Sequence, residues 1–167
     1  RHFILNSSKE SQIDEPIQVK PFLLSSETFS EPSVFEIIFI HHNTMYRYGF
    51  EVDIEKVHSE WLYQKTNKKE VELFYRDFQS FDIHNTKFKV SDLIANDRIR
   101  PNALLLSVAA SWNDKLAIKI FDWFKNCNII SGLREEGYEG YSMARIQKNK
   151  ENKSEAIKYL KSADLGH

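Results

Sequence analysis

Cysteine, glycine and proline are scarce in these 167 residues, which hold one Cys, five Gly and four Pro. The single thiol, Cys127, excludes an internal disulfide, and no cluster of thiols exists for a structural zinc site, so a reducing cytoplasmic location is the simplest expectation. Without a neighbouring His in sequence, Cys127 reads as a small core residue. No glycine opens a Gly-x-x-x-x-Gly-Lys-Ser/Thr loop of the kind that cradles phosphates. Neither a Gly-x-Ser-x-Gly nucleophile turn nor a His-Glu-x-x-His metal helix occurs. No apolar run approaches the roughly 20 residues that span a bilayer. The longest, Pro101 to Ala110, is about half of that, so no membrane partner is expected. Charge of one sign is missing too: 23 Lys and Arg face 24 Asp and Glu, which argues against a dominant electrostatic grip on DNA or anionic lipid and leaves a local basic patch open. The chain begins Arg-His-Phe-Ile-Leu, with neither Met nor a basic-then-apolar signal region; it reads as a start in mid-helix with something removed upstream.

Aromatic residues, by contrast, are abundant at 13%, with 12 Phe and 7 Tyr, which favours strands or a large interface. The end of a helix and a loop are expected over residues 1–16, and Ile17 to Leu24 suits an edge strand or extended segment. Phe35, Ile37 and Phe39 then alternate with Glu36 and Ile38, and after His41-His42-Asn43 the run Met45 to Val52 resumes the alternation, which predicts an antiparallel hairpin. Lys56 to Gln64, Glu70 to Arg76, Phe81 to His84 and Lys87 to Val90 extend it to a meander of four to six strands with a polar face toward solvent, making 17–90 a β-subdomain. Over 91–167 the period changes to about 3.6. Ser91 and Asp92 can cap a short helix through Ala95. Asn113 or Asp114 caps a better one in which Leu116, Ile120, Trp123 and Phe124 share a face. Gly132, Gly137 and Gly140 mark a loop-rich stretch, and Ser154 to Ser162 a final helix. Strands followed by helices predict an α+β fold with a helical region at 91–167.

Chemistry-bearing residues are few. His41 and His42, as strand neighbours, point to opposite faces and read as turn residues; His58 and His84 can join them only through tertiary contact. Glu51 and Asp53, two apart, would share one strand face, as paired acids do in some metal-assisted hydrolases, or simply form a solvated face. Lys65, Lys68 and Lys69 near Tyr63, Phe74 and Tyr75 suit nucleic-acid contact or a solubilising turn flanked by core aromatics. Glu135, Glu136 and Glu139 beside Tyr138 and Tyr141 suit an acidic loop, exposed or protein-binding.

Three ordered stretches carry a resemblance. They are Val19 to Leu24 with Glu31 to Ile37; Met45-Tyr46-Arg47-Tyr48-Gly49-Phe50-Glu51-Val52 with Val57 to Tyr63; and Arg100-Pro101-Asn102-Ala103-Leu104-Leu105-Leu106-Ser107-Val108-Ala109-Ala110 with Asp122-Trp123-Phe124. Together they resemble prokaryotic AAA-type ATPases of the ATP-binding-cassette (ABC) architecture, in the branch of the SMC, RecF and OLD proteins. The resemblance implies the middle of an ATPase head, carrying the β-subdomain and the start of the helical subdomain, with the Walker-A and Walker-B ends outside it. It implies ATP and Mg²⁺ in the complete protein and none for the isolated chain, which would neither hydrolyse nor tightly bind ATP. It also implies self-association or the rest of the head as partner, with nucleic acid in the complete system. Where such families tend to place a Gln that senses Mg²⁺ and the γ-phosphate, Ser111 stands here; its shorter side chain can still reach a metal-bound water, and a loop or helix-cap role is the other reading. The competing functional class is a free-standing module that binds protein or nucleic acid through the same β-subdomain.

Overall fold

The computed structural model describes residues 1–10, 12, 15–20, 31–66, 69–127 and 138–162. The chain divides into two compact units, Arg1–Cys127 and Asn128–His167. In the first, α1 (His2–Glu10) precedes five strands, β1 (Ser33–His41), β2 (Thr44–Val52), β3 (Val57–Lys65), β4 (Glu70–Asp77) and β5 (Ser80–Ile83). The helices α2 (Ser91–Ala95), α3 (Leu105–Ser111) and α4 (Lys115–Asn126) follow. The five strands form one antiparallel sheet in sequence order, the meander and α+β class that the alternating pattern predicts. Among the described residues no helix is long and apolar enough to cross a membrane.

Local chemistry sets the register. The β1–β2 connection is two residues, His42 and Asn43, both with positive φ (47° and 57°), the backbone that lets a tight hairpin follow the right-handed twist of its strands. Glu36, Gly49 and Trp61 lie side by side across β1, β2 and β3. The Trp61 ring occupies the space that a Cβ at position 49 would need, so glycine there admits the indole, whose Nε1 donates to Glu36 at 2.7 Å.

One face of the sheet is the core. Ile37, Tyr48, Leu62, Phe74 and Ile83 form a row across all five strands, and Phe35, Phe50, Glu60, Arg76 and Phe81 form the next. Leu104 to Leu106, Val108 and Ala109, with Ile120, Phe121 and Phe124, belong to the same buried cluster. The outer face departs from the polar surface expected. Glu36, Arg47 and Glu70 bond to one another there, Arg47 taking Glu70 in a two-pronged grip at 3.1 and 2.9 Å and Glu36 at 3.3 Å. Beside them Val34, Ile38 and Ile40 of the edge strand β1 are 59–70% exposed, so the outward stripe of that strand is mainly apolar.

Further expectations need correction. Lys87 to Val90 is not a strand: Phe88 and Val90 are buried from an irregular segment, Phe88 stacked on Phe74 at 5.1 Å, so coil can mimic a period of two. Residues 15–20 form no regular element, though Ile17 is buried and its N–H donates to Ile54 O at 2.7 Å; Pro21 to Leu24 lie outside the described residues. Helix α2 forms without a side-chain cap, Ser91 Oγ donating to Asn85 instead, whereas Asp114 does cap α4 by accepting from Ala117 N at 2.8 Å. The Pro101–Ala110 run contains an additional helix, α3. In the second unit α5 (Tyr138–Lys148) and α6 (Lys150–Ser162) are helical, so Gly140 sits inside a helix rather than a loop and α6 starts four residues before Ser154. Gly132, Gly137, Glu135 and Glu136 lie outside the described residues.

Candidate functional site

Two buried charges fix the start of α3. Glu60 of β3 and Arg76 of β4 are direct cross-strand partners on the inner face, each with no accessible surface. Glu60 accepts from the first two N–H groups of α3, Leu105 at 2.6 Å and Leu106 at 3.0 Å, and from the Tyr48 hydroxyl at 2.9 Å. A carboxylate at a helix N-terminus satisfies donors that have no partner within the helix. Arg76 donates to Ala103 O and Phe78 O, both at 2.6 Å, and to Gln79 Oε1 at 3.2 Å, while its Nη1 lies 3.7 Å from Glu60. Burial pushes the Glu60 carboxyl above its ordinary range, with Arg76 and the N–H donors working against that, and burial lowers Arg76. The guanidinium stays charged, because no protein environment brings it to neutrality near pH 7.

Serines of α1 and α3 tie the two helices together from the N-cap of α3 to its last residue. Ser8 N donates to Ser107 Oγ at 3.0 Å, Ser7 Oγ accepts from Leu104 N at 3.2 Å, and Arg100 donates to Ser8 O at 3.1 Å. Ser111, the last residue of α3 and exposed, donates from Oγ to Ser107 O at 3.0 Å. Its single hydroxyl proton is then used, so the 2.7 Å contact with Ser8 Oγ is a bond that Ser8 donates, and one lone pair of Ser111 remains. Arg1, at the other end of α1, donates to Phe124 O and Lys125 O at 2.9 and 3.0 Å, capping α4. Asn102 ties the loop before α3 to Gln12 O (2.6 Å) and Glu15 O (3.0 Å).

The remaining candidates are scattered. His42 stands in the turn, not on the strand, so the His41 and His42 rings lie 4.1 Å apart rather than on opposite faces. His84 bonds Thr86 instead, at 3.0 Å. Glu51 and Asp53 do not pair: Glu51 accepts from Ser59 Oγ at 3.0 Å, while Asp53 lies beyond the strand end and meets His58 Nε2 at 2.6 Å. Phe74 is core, Lys69 is exposed and Lys68 lies outside the described residues, so Lys65, Lys69 and Phe74 do not form one surface. Tyr141 accepts from Arg145 at 2.8 Å, and Cys127 is half-buried just after α4. Among the described residues no three His, Cys, Asp or Glu side chains converge to hold a metal ion.

Asp53 supplies a pH prediction. Burial opposes its ionisation, but His58 and the N–H groups of Lys56 and Glu55 outweigh this and hold it below its ordinary 3.8. A carboxyl depressed by folding stabilises the fold above its unfolded value and loses that contribution as pH falls through the folded one. The stability gap between the parent chain and Asp53→Asn, measured by urea unfolding from pH 7 to pH 3, is therefore expected to shrink on acidification below about 4. A gap that widens toward pH 3 refutes the assignment.

No curated protein and no solved structure matches the chain. Residues 2–112, from α1 through the sheet to the end of α3, match the family described as "AAA domain, putative AbiEii toxin, Type IV TA system". This is an ATPase-type domain, and the matched span contains every anchor of α3 described above. The chain belongs to that AAA domain family.

Proposed function

We propose that this region is the β-subdomain and the beginning of the helical subdomain of an ABC-type ATPase head of the SMC, RecF and OLD branch, serving a defence or DNA-maintenance system. The observation that carries the reading is the family match over residues 2–112. The ordered arrangement of α1, the antiparallel sheet and α3 supports it. The complete head would take ATP and Mg²⁺. The residues present do not amount to that site, since the sequence has no phosphate loop and the described residues have no converging metal ligands. No step of hydrolysis is assigned to them. Apart from Ser111 their role is architectural: Glu60 and Arg76 hold the start of α3 on the sheet, and Ser8 holds its later turns on α1. Ser111, with one lone pair remaining, is the position through which the region would meet a metal-bound water. The partner is the rest of the head, or a second copy of it.

The test has two parts. The coding sequence on both sides of codons 1 and 167 is expected to encode a phosphate loop upstream and an acidic Walker-B strand downstream, and stop and start signals there would overturn the reading. The 167-residue chain is expected to show no ATP turnover, and turnover abolished by substituting its own residues would overturn it equally. In the complete gene product Ser111→Ala is expected to lower kcat by about tenfold, as loss of a group acting through a metal-bound water does. An unchanged kcat would leave Ser111 a helix staple only.

A further inference from the structure

A cleft of about 650 Å³ opens between the segment before α2, the helix α2 itself, and the junction of α3 with α4. That volume lies within the range of small-molecule sites, roughly 300–1,000 Å³. Four cations line it, Lys87, Lys89, Arg98 and Lys115, against two carboxylates, Asp92 and Asp114. Asp114 is turned to backbone donors, accepting from Ala117 N at 2.8 Å and Lys89 N at 3.3 Å. None of the four cations forms an ion pair among the described residues. The wall also carries Trp112, which is 53% exposed with the Arg98 guanidinium 4.5 Å from its ring centroid. The half-exposed indole with Arg98 beside it and the lysines free of carboxylate partners offer one planar anionic ligand both a stacking surface and counter-charge.

We infer that this cleft binds a nucleotide unit, with its phosphate among Lys87, Lys89 and Lys115 and its base stacked against Trp112 and Arg98. A plain anion would use the lysines and leave the indole uncovered, and an apolar ligand would bury unpaired cations; a phosphorylated planar ring satisfies both demands. The site is independent of the ATPase reading, because it uses no phosphate loop and is complete within this chain. A free mononucleotide and one residue of a single strand share this chemistry.

The experiment follows a fluorescein-labelled deoxyadenosine oligonucleotide by anisotropy on the 167-residue chain at low salt, with unlabelled AMP as a parallel ligand by calorimetry. Expected are saturable binding of at least one of them and about 5- to 100-fold weakening in Trp112→Ala, as loss of a stacking ring produces. Trp112→Phe, which keeps a ring, should restore most of the affinity and so separates stacking from misfolding. Lys87→Ala should reduce the slope of log affinity against log salt for the oligonucleotide by about one, while Lys69→Ala should not change the affinity. Tighter binding of the oligonucleotide names a strand as the source, and tighter binding of AMP names the free nucleotide; either supports the site. An abasic oligonucleotide or polyglutamate bound as tightly as the deoxyadenosine strand, an affinity indifferent to Trp112→Ala, or no binding of either ligand at about 50 mM salt would overturn it.

Discussion

Glu60→Ala is expected to lower the unfolding free energy of the Arg1–Cys127 unit by about 3–5 kcal/mol, the cost of breaking a buried ion pair from one side. Against a typical total of roughly 5–15 kcal/mol, that is a third or more of the stability of a domain at the low end of the range. The reason is geometric more than coulombic. The carboxylate lies 3.7 Å from Arg76 but only 2.6 and 3.0 Å from the Leu105 and Leu106 N–H groups, so removing it leaves two helix donors and the Tyr48 hydroxyl without their acceptor and the Arg76 guanidinium without its counter-charge. Replacing both charges with apolar residues of similar size is often neutral for buried pairs. Here Glu60→Leu combined with Arg76→Met should remain destabilised by several kcal/mol, since each orphaned buried group costs about 1–3 kcal/mol and Ala103 O loses its donor as well. Tyr48→Phe, which removes a single bond, should cost about 1 kcal/mol. Urea unfolding followed by circular dichroism reads all three; a double variant as stable as the parent would mean that the pair acts as charges alone.

The hairpins were readable because their period is two and their turns are chemically marked: His42-Asn43 accepts positive φ, and Phe39 and Tyr46 point inward on schedule. Helix α4 was readable from Ile120 and Phe124 four residues apart behind the Asp114 cap. Helix α3 was not, because Leu105 to Ala109 is buried all round and a run without a polar face has no period to detect. Helix α5 was hidden by Gly140, a residue whose helix propensity is poor but not prohibitive. The Glu60–Arg76 pair does leave a mark in the sequence. Glu60 shares inward parity with Leu62, as Arg76 does with Phe74, so opposite charges fall at inward positions of adjacent strands. The serine staple had no such signal, since Ser8 and Ser111 are 103 residues apart and only the folded chain brings them together. The Trp112 cleft is likewise drawn from several separate stretches.

Phe39→Ala is expected to cost about 3–5 kcal/mol although it sits on an edge strand, while Ile40→Ala beside it should stay within about 0.5 kcal/mol. Adjacent strand residues face opposite ways, so Phe39 is 5% exposed and Ile40 is 70% exposed. Phe39 stacks on Trp123 at 4.1 Å and meets Tyr46 at 5.5 Å and Phe124 at 5.6 Å, which makes it the ring that joins the free edge of the sheet to α4. Deleting it removes aromatic burial and opens a void that the neighbouring rings are too rigid to fill. The consequence extends along the chain, because α4 presents Phe124 O and Lys125 O to Arg1, the residue before α1, and α1 in turn holds Ser111 through Ser8. Loosening the Phe39 contact should therefore shift Trp123 emission to the red and raise amide exchange at the end of α4 before global unfolding. Equal costs for the two alanine substitutions would mean that α4 is not held by this face of the sheet, and the path from the sheet edge to Ser111 would fail with it.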